Sequence, residues 1–362
     1  MDSMKKFNIL VITAIAALSV ISCTGAKTEI PDQDQQEQDQ NQNQDQNQQE
    51  EEEEWTGDYP KGVSVEPFSE NFSDGKVANG WVATIDFKAN PRLKFNSLQA
   101  SKRKAPTDFF KDFNQEKGTP YICVNAGYFA GSTSVSLCII DGRVRSISPV
   151  DVNWPNDENF ERTIHPVRSA LGQLEDGSFE IGWVFCTDKP ARTQTMFPST
   201  MGNNEKTRTF IDEAPSADYP GARTWTPMQA IGGGPRLLKD GEDVAVDSYW
   251  GECLDAGGTA GLSRQPRTAM GVTEDGKLLI LVCDGRGMGG SAGMTLQEVA
   301  AKLKSLGAVD AMNFDGGGSS QIVGFEGKIL NRPSDAGAGS EQIVERKVVT
   351  AVIISELPKG NE

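Results

Sequence analysis

The residues best suited to chemistry form one short run near the C-terminal end of the chain, N-F-D-G-G-G-S-S at 313–320. An apolar segment, 308–312, precedes it and predicts a buried strand that the glycines end abruptly. Consecutive glycines let a ligand approach the backbone closely, and their N–H groups can bind an anion. Asp315 lies at the edge of this turn, where a carboxylate could act as base, nucleophile or metal ligand. Taken alone, the motif could also be a glycine turn that Asp315 caps.

A second carboxylate, Asp284, follows another apolar strand, 277–283, and precedes Gly285 and Arg286. The segment between the two strands predicts a helix, so the order is strand, loop, helix, strand. This order is typical of a βαβ unit, whose strands run parallel and end at one edge of a sheet. We therefore expect Asp284 and Asp315 in one site, with adjacent strands favoured and one intervening strand as the alternative.

The connecting helix carries strong local signals. Thr295 and Glu298 have the spacing of a capping box, and Gly307 is placed to end the helix. The apolar residues between them recur at helical spacing, which predicts a single buried face on this helix. They are Leu296, Val299, Ala300, Leu303 and Leu306.

The sequence also contains an internal repeat. Residues 168–177 and 267–276 share the pattern R-x-A-x-G-x-x-E-D-G, and each continues into a predicted strand. A fainter second pair is N-A-G at 125–127 and the start of the 313–320 run. The pattern predicts two related β-hairpin units, with chance similarity between two Asp-Gly hairpins as the alternative. Together these elements predict an α+β fold with mixed sheets, in which the βαβ unit carries the site.

The first residues have the features of an export and anchoring segment. Residues 1–23 combine two lysines with a short apolar core, which is typical of a signal peptide. The segment ends in V-I-S-C, which resembles the lipobox of bacterial lipoproteins and implies a lipid on Cys23. Ordinary secretion with cleavage elsewhere is the alternative. The sequence thus predicts a protein of the bacterial cell envelope, outside the cytoplasm, that meets the membrane only through its lipid anchor.

Residues 24–54 predict a disordered spacer, because they are rich in Gln, Asn, Asp and Glu and carry few apolar side chains. Eleven acidic and no basic residues lie in 29–54, and residues 1–28 carry a net charge of +2. Residues 55–362 therefore hold only −7 of the total charge of −16. Because this part has no basic stripe or stacking motif, it does not indicate nucleic-acid binding.

The remaining chain is long enough for a substantial core. We expect residues 55–115 to supply strands and a short helix, starting at Thr107 as its N-cap and running to 116, that pack on the domain. Residues 116–362 then form the catalytic domain. Within it, 187–262 is rich in Pro, Gly, Thr and Asp, and such long loops are often functional. We expect them to form walls of the site.

Cysteine and histidine content limits the possible chemistry. Five cysteines follow Cys23, and an odd number leaves at least one thiol free. Cys123, Cys138 and Cys283 fall within apolar strands and are expected to be buried thiols. His165 is the only histidine, which excludes multi-histidine metal sites and favours a structural role for this residue.

Seven short motifs follow one another between residues 124 and 346. They are V-N-A-G-Y-F at 124–129, G-G-G-P at 232–235, R-T-A-M-G-V-T-E-D-G at 267–276, C-D-G-R at 283–286, G-M-T-L-Q-E-V-A at 293–300, N-F-D-G-G-G-S-S at 313–320 and E-R at 345–346. In this order they resemble the phosphodiester glycosidase family. Tyr128 stands where that family often has phenylalanine, Lys347 where it often has proline, and 187–262 is less typical of it.

The resemblance implies hydrolysis of a sugar-1-phosphodiester, of the N-acetylglucosamine-1-phosphodiester kind found on glycans, at the glycosidic carbon. An oxocarbenium-like transition state needs a carboxylate, so Asp315 is the expected nucleophile or electrostatic stabiliser and Asp284 its partner. The anionic phosphodiester needs cations and N–H donors, although at least one arginine is expected to have a structural role. The substrate-binding residues expected on this basis are Asn125, Arg168, Arg267, Arg286, Asn313, Gly316, Gly317, Ser319 and Arg346.

Two other functions fit the same residues. A surface lipoprotein could bind phosphorylated or phosphodiester-linked glycans without turnover. A metal-assisted phosphodiesterase could instead use a carboxylate cluster to cleave the P–O bond. The sequence indicates no cofactor, and a divalent cation stays an open alternative. It also leaves open the sugar, the aglycone and whether the anomeric configuration is retained or inverted.

Overall fold

The computed structural model describes residues 59–155, 161–254 and 260–358. The predicted signal peptide, Cys23 and the acidic spacer lie outside these residues. Within the described ranges, no helix is both long and apolar enough to cross a membrane.

The described chain is built mainly from strands, with three α-helices and several single turns of 3₁₀ helix. The helices are α1 (Pro106–Lys111), α2 (Ala245–Gly251) and α3 (Leu296–Ser305). The strands are β1 (Val63–Asn71), β2 (Val77–Ile85), β3 (Leu93–Lys104), β4 (Thr119–Asn125), β5 (Phe129–Ala130), β6 (Thr133–Ser134), β7 (Cys138–Ile140), β8 (Arg143–Ser146), β9 (Val152–Pro155), β10 (Glu161–Ile164), β11 (Arg168–Gln173), β12 (Phe179–Asp188), β13 (Thr193–Phe197), β14 (Arg223–Thr224), β15 (Gln229–Gly232), β16 (Arg236–Lys239), β17 (Glu242–Asp243), β18 (Arg267–Thr273), β19 (Leu278–Cys283), β20 (Ala308–Asn313), β21 (Ile322–Val323) and β22 (Val348–Glu356).

Three sheets form the body of the fold. Two have seven strands, in the orders β1-β2-β19-β18-β20-β16-β17 and β14-β13-β12-β11-β15-β7-β8, and the third has the order β21-β4-β22-β3. Every strand pair in the described ranges is antiparallel. The expectation of mixed sheets is therefore wrong for this part of the chain. Helices pack on these sheets, in keeping with an α+β fold.

The predicted βαβ unit does not form as a pair of neighbouring strands. Strands β19 and β20 flank α3 in sequence, but β18 lies between them in the sheet and pairs antiparallel with both. The cause is the tight turn at Asp275-Gly276, where the Gly276 N–H donates to the Thr273 carbonyl at 2.9 Å. This turn folds β19 back onto β18, so the edge that β20 would need is already occupied.

Helix α3 follows its local sequence signals closely. The Thr295 hydroxyl accepts from the Glu298 N–H at 3.2 Å, and the Glu298 carboxylate accepts from the Thr295 N–H at 2.8 Å. Gly307 follows the helix with φ of +93°, a conformation that glycine adopts at little cost. Four of the five residues expected on the apolar face are buried, whereas Leu306 is 38% exposed at the C-terminal end.

Helix α1 differs from the prediction. It begins at Pro106 and ends at Lys111, so it is shorter than expected, and Thr107 is not its N-cap. Proline favours the first helical position because its φ is preset and the missing N–H is not needed there. The Thr107 hydroxyl instead donates to Glu345, at 2.7 Å to one carboxylate oxygen.

Residues 63–104 are part of the same sheets as the later chain. Strand β2 pairs with β19 along six residues, and β3 pairs with β22. A large apolar cluster joins these early strands to the centre of the fold, through side chains such as Phe95, Val352 and Phe314. The early strands thus contribute directly to the core.

The cysteines that follow Cys23 are all buried and free of disulfides. Burial raises the pKa of each thiol above its ordinary value, to about 12 for Cys138 and Cys253. This confirms the prediction of buried thiols at the three strand positions. His165 also has structural contacts, since its Nδ1 lies 3.0 Å from the Val150 carbonyl oxygen.

The two repeat segments form hairpins, as predicted, but in different sheets. The first hairpin pairs β11 with β12, and the second pairs β18 with β19. Each hairpin lies at the centre of a seven-stranded sheet. A twofold relationship between the two units stays a prediction.

Candidate active site

A cavity of 320 Å³ opens where β18 begins and β20 ends. Its lining combines three arginines and part of the glycine run with apolar and aromatic side chains. Such a combination of apolar surface with a few convergent polar groups is typical of a ligand site. The lining residues are Tyr128, Pro235, Tyr249, Leu254, Gly261, Gln265, Arg267, Arg286, Leu296, Asn313, Gly316, Gly317 and Arg346.

A larger groove, of 1130 Å³, lies near the two hairpin turns, at the opposite ends of β11 and β18. Six acidic residues and three lysines line it, and no arginine does. Because its charge is mainly negative, this groove suits a phosphodiester less well than the smaller cavity does.

Two arginines pack directly on the glycine run. A Cβ on Gly317 would lie 2.9 Å from Nη2 of Arg286, and one on Gly318 would lie 2.4 Å from Nη2 of Arg346. Gly317 also has φ of +61°, which disfavours other residues. The glycines therefore bring two guanidinium groups against the loop backbone, and guanidinium groups bind phosphate through charge-assisted hydrogen bonds.

Asp315 lies at the start of this loop and is partly buried. It falls between Asn313 and Gly316, which line the cavity, but it is not itself among the lining residues. The following residue must be small, because a Cβ on Gly316 would lie 2.8 Å from the Pro266 carbonyl oxygen. Burial raises the pKa of Asp315 to about 6, although Ser319 and Arg346 oppose the rise by favouring the charged form. A carboxyl that titrates near neutral pH beside a cationic cavity is suited to catalysis.

Asn125 supports the loop from below. It ends β4 and is fully buried. Its Nδ2 donates to the Asp315 carbonyl at 2.6 Å, and its Oδ1 accepts from the Thr268 hydroxyl at 2.7 Å and from the Gln321 N–H at 3.1 Å. Asn125 thus ties both ends of the glycine run to β18. These contacts give Asn125 a positioning role, and its predicted contact with substrate stays a prediction.

Asp284 has a different environment from Asp315. It is 5% exposed, and its Oδ1 accepts from Asn331 Nδ2 at 3.0 Å and from the Arg332 N–H at 2.8 Å. Burial raises its pKa to about 6, and these two donors oppose the rise. Asp284 does not line the cavity, and its partnership with Asp315 stays a prediction.

Arg267 lines the cavity and holds its wall in place. Its Nε donates to the Met294 carbonyl at 3.0 Å, and its Nη2 donates to the carbonyls of Gly261 at 2.9 Å and Ser263 at 2.7 Å. Burial lowers the pKa of this guanidinium. The residue therefore combines a structural role with a place at the site.

Arg168, its counterpart in the first repeat, is purely structural in its contacts. It donates to the carbonyls of Glu252 at 3.3 Å and Cys253 at 3.0 Å, just after α2. It does not line the cavity, and its predicted part in substrate binding stays a prediction.

Arg286 and Arg346, the two arginines that pack on the glycine run and are called the loop arginines below, have different partners. Arg286 is exposed, and its Nε donates to Gln265 at 3.1 Å. Arg346 donates to Asp335 through Nε at 2.8 Å and Nη2 at 2.5 Å. In the described part of the chain, Arg286 forms no ion pair with a carboxylate, so its charge is available to a ligand.

Asn313 and Tyr128 meet at the base of the cavity. Asn313 Nδ2 and the Tyr128 hydroxyl both donate to the Gly234 carbonyl, at 3.0 and 2.8 Å. The Asn313 Oδ1 is buried and has no hydrogen-bond partner among the described residues. Buried polar atoms are nearly always paired, so this oxygen is a candidate acceptor for a ligand O–H or N–H group. Ser319, predicted with it, is also buried beside the loop.

Sequence reasoning missed several lining residues. Tyr128 lies in the V-N-A-G-Y-F motif, and Gln265 lies just before the second repeat, but neither carries a charge that would mark it. Pro235, Tyr249 and Leu254 fall within 187–262, the segment predicted to form walls of the site, and all three line the cavity. No periodicity identified them individually.

The family model for phosphodiester glycosidases matches residues 122–355, well over half of the chain. This chain belongs to the phosphodiester glycosidase family. The matched region contains the cavity, the glycine run and both loop arginines, and it confirms the resemblance seen in the motifs.

Individual relatives match this chain over shorter stretches. N-acetylglucosamine-1-phosphodiester alpha-N-acetylglucosaminidase of Mus musculus is 30% identical over 134 residues, which cover 36% of this chain and 25% of that protein. The SPbeta prophage-derived uncharacterized protein YomE of Bacillus subtilis (strain 168) is 39% identical over 92 residues, 25% of this chain and 13% of that protein. The chain thus spans a quarter or less of the length of these relatives.

A solved structure shares the fold over most of the chain. The zebrafish N-acetylglucosamine-1-phosphodiester alpha-N-acetylglucosaminidase catalytic domain, auto-inhibited by its pro-peptide, aligns with a TM-score of 0.56 at 20% identity and covers 83% of this chain and 85% of that one. A hypothetical protein from Synechocystis aligns with a TM-score of 0.50 at 17% identity, covering 82% of this chain and 64% of the other. At these identities the likeness concerns the fold alone.

Proposed function

We propose that this protein is a hydrolase that cleaves sugar-1-phosphodiesters at the glycosidic carbon, releasing the sugar and a phosphomonoester. The observation that carries the proposal is the glycine run, with two guanidinium groups on its backbone and a carboxyl of raised pKa beside it. Membership of the family and the activity in the name of the mouse relative support the same chemistry.

In this proposal the loop arginines bind the phosphodiester. A phosphodiester is an anion at every physiological pH, and Arg286 and Arg346 can each donate two N–H groups to its oxygens. The apolar part of the lining, with Tyr249 and Leu254, is suited to the less polar face of a sugar ring. Together these groups would place the anomeric carbon near Asp315.

Asp315 then acts on the developing oxocarbenium ion. Its carboxylate stabilises positive charge at the anomeric carbon, either as a nucleophile or through electrostatics alone. Phosphate is a good leaving group, so protonation of the leaving oxygen contributes little. Substrates of the N-acetylglucosamine-1-phosphodiester kind, carried on a glycan, are the class that we favour.

The decisive experiment is product analysis in ¹⁸O-water with a panel of sugar-1-phosphodiesters. Cleavage at the glycosidic carbon places the label in the sugar. Label in the phosphate would overturn the proposal in favour of a phosphodiesterase, and repeating the assay with EDTA would show whether that activity needs a divalent cation. Binding without turnover of any substrate would identify a glycan-binding lipoprotein instead.

We also propose that the protein is held in the bacterial cell envelope by a lipid on Cys23, outside the cytoplasm. Replacing Cys23 with alanine should release the protein from the membrane fraction or block its maturation. A wild-type protein that takes up no labelled lipid, and whose membrane association is unaffected by C23A, would contradict this proposal.

A further inference from the structure

The segment that delivers Arg346 to the cavity has no helix or strand of its own. Residues 331–346, here called the strap, connect the region after β21 to the start of β22. An irregular segment of this length gains little stability from its backbone, so its position depends on side-chain anchors. The structure shows one anchor at each end.

Asp284 anchors the first end. Its Oδ1 accepts from the Asn331 side chain at 3.0 Å and from the Arg332 N–H at 2.8 Å. Asn331 in turn donates to the Ser320 carbonyl at 3.1 Å and accepts from the Ile322 N–H at 2.9 Å. The carboxylate at the end of β19 thus fixes the strap to the chain that follows the glycine run.

Glu345 anchors the other end. Its carboxylate accepts from the Thr107 hydroxyl at 2.7 and 2.8 Å, from the Thr107 N–H at 3.3 Å and from the Gln321 side chain. Gln321 directly follows the two serines of the 313–320 run. Since Arg346 is the next residue, Glu345 fixes the backbone from which that guanidinium extends.

Between the anchors, the strap orients the guanidinium itself. The Gly339 N–H donates to the Arg286 carbonyl at 2.9 Å, which ties the two arginine-bearing segments together. Asp335, also in the strap, pairs with Arg346 and lies close to Gly318. The orientation of the Arg346 guanidinium group matters because a guanidinium binds phosphate through two parallel hydrogen bonds.

We infer that Asp284 and Glu345 are positioning residues that hold the strap so that Arg346 points onto the glycine run, where it binds the phosphate portion of the substrate. This inference rests on the proposed function for its ligand. It assigns Asp284 a role different from that of a second catalytic carboxylate, and it gives Glu345 a role in anion binding although Glu345 is itself an anion.

The test measures binding of inorganic phosphate and of free N-acetylglucosamine to the wild type, E345Q, D284N and R346A. We expect R346A to weaken phosphate binding roughly tenfold to hundredfold, and each anchor variant to weaken it roughly tenfold, with sugar binding unchanged. In the E345Q/R346A double variant, phosphate should bind as it does to R346A alone, because the anchor acts only through Arg346. Additive losses would overturn the inference.

A second measurement is independent of any ligand. Hydrogen–deuterium exchange in residues 331–346 should rise in both anchor variants while the core strands stay protected. E180Q is the matched control, since Glu180 also accepts from neighbouring side chains, Trp225 among them, but lies on a different sheet. Exchange should be unchanged in the strap of E180Q.

These results separate failure of the inference from failure of the proposed function. Unchanged strap exchange in E345Q and D284N would overturn the inference even if the wild type hydrolyses phosphodiesters. Absence of turnover by the wild type would instead remove the proposed function, while exchange would still decide whether the anchors hold the strap. A large loss of turnover in D284N without any change in strap exchange would identify Asp284 as a catalytic residue.

Discussion

The two hairpins of the repeat occupy matching places in their sheets, but the carboxylates near them have different surroundings. Ala170 lies opposite Gly232 and Ala269 lies opposite Asn313, so the strand beside each hairpin has the same register. The next residues also match, since Gly233 donates to the Ser169 carbonyl at 3.1 Å as Phe314 does to that of Thr268 at 2.8 Å. Gly234 therefore takes the position that Asp315 has in the second unit.

At the first position, that of Gly234, the nearby carboxylate belongs to Glu252, which comes from another part of the chain and is buried. A Cβ on Gly234 would lie 2.4 Å from the carboxylate of Glu252, which is fully buried. Glu252 accepts from the Ser169 N–H and hydroxyl, from Trp183 at 3.0 Å and from the Arg236 N–H at 2.8 Å. Burial raises its pKa, and these donors oppose the rise.

At the second position, the carboxylate is that of Asp315, which belongs to the loop itself and is only partly buried. Asp315 has fewer donors around it and lies next to a cavity that Arg286 lines without an ion pair among the described residues. The comparison shows that equivalent backbone positions can contribute either to stability or to a binding site. The difference lies in whether the oxygens of the nearby carboxylate already accept hydrogen bonds from the protein.

The largest effect on turnover should come from replacing Asp315, the carboxylate next to the cavity. Asp315→Asn keeps the shape but removes the charge, so turnover of a sugar-1-phosphodiester should fall roughly 10²–10⁴-fold, measured by initial rates. The matched change at the buried carboxylate, Glu252→Gln, should leave turnover per folded molecule close to wild type. Equal losses in the two variants would break the functional distinction between the halves.

Asp315→Asn should lower turnover but raise the free energy of unfolding. The folded pKa of about 6 exceeds the ordinary 3.8, so the folded state binds more protons between these values and the free energy of unfolding falls as pH rises through them. The variant lacks this penalty. It should be more stable than the wild type at pH 8, by at most about 3 kcal/mol and less because the residue is half-buried, with the gain fading toward pH 4.

Denaturant unfolding of both proteins at pH 8 and pH 4 would measure this difference. Asp74→Asn is a control of opposite sign, because Arg264 holds the pKa of that exposed carboxyl below its ordinary value. A variant that is less stable than the wild type at pH 8 would show that the Asp315 charge supports the fold instead of straining it.

The repeated arginines should separate binding from structure. Arg267→Ala should weaken binding of a sugar-1-phosphodiester roughly tenfold to hundredfold more than that of the free sugar, because a charge-assisted hydrogen bond contributes about 1.5–3 kcal/mol. Arg168→Ala should lower the melting temperature without this selectivity, since its guanidinium contacts only backbone carbonyls and does not line the cavity. Calorimetric titration with both ligands would sharpen the comparison, and a charge-selective loss in Arg168→Ala would contradict it.

The last prediction concerns the effect of the buried carboxylate of Glu252 on stability. Glu252→Gln replaces an acceptor oxygen by an amide donor, so one of its buried N–H or O–H partners loses its acceptor. We expect a loss of about 1–3 kcal/mol in the free energy of unfolding at neutral pH, measured by denaturant titration. An unchanged stability would show that the first unit does not depend on this carboxylate.

Local signals in the sequence predicted local structure well. The capping box of Thr295 and Glu298 and the stop at Gly307 involve residues close in sequence, and all are confirmed. The favoured adjacency of β19 and β20 was wrong, and the alternative of one intervening strand is observed. Where β18 pairs is a property of the whole sheet, which local sequence signals do not determine.

The candidate site was predictable in residue type but less so in orientation. The glycine run, Arg286 and Arg346 meet as expected. Asn125 belongs to the right motif, yet the sequence could not show that its side chain faces inward and supports the loop. The pairing of Arg346 with Asp335 lies within an irregular strap, where no periodicity signals a contact.

The buried thiols give this molecule a built-in set of reporters. Cys283 lies in one seven-stranded sheet, Cys138 and Cys186 in the other and Cys123 in the third, and each is 5% exposed or less. A buried thiol reacts with an alkylating reagent only after the structure around it opens. The rate of alkylation at each cysteine would therefore time the opening of each sheet separately, without any engineered label.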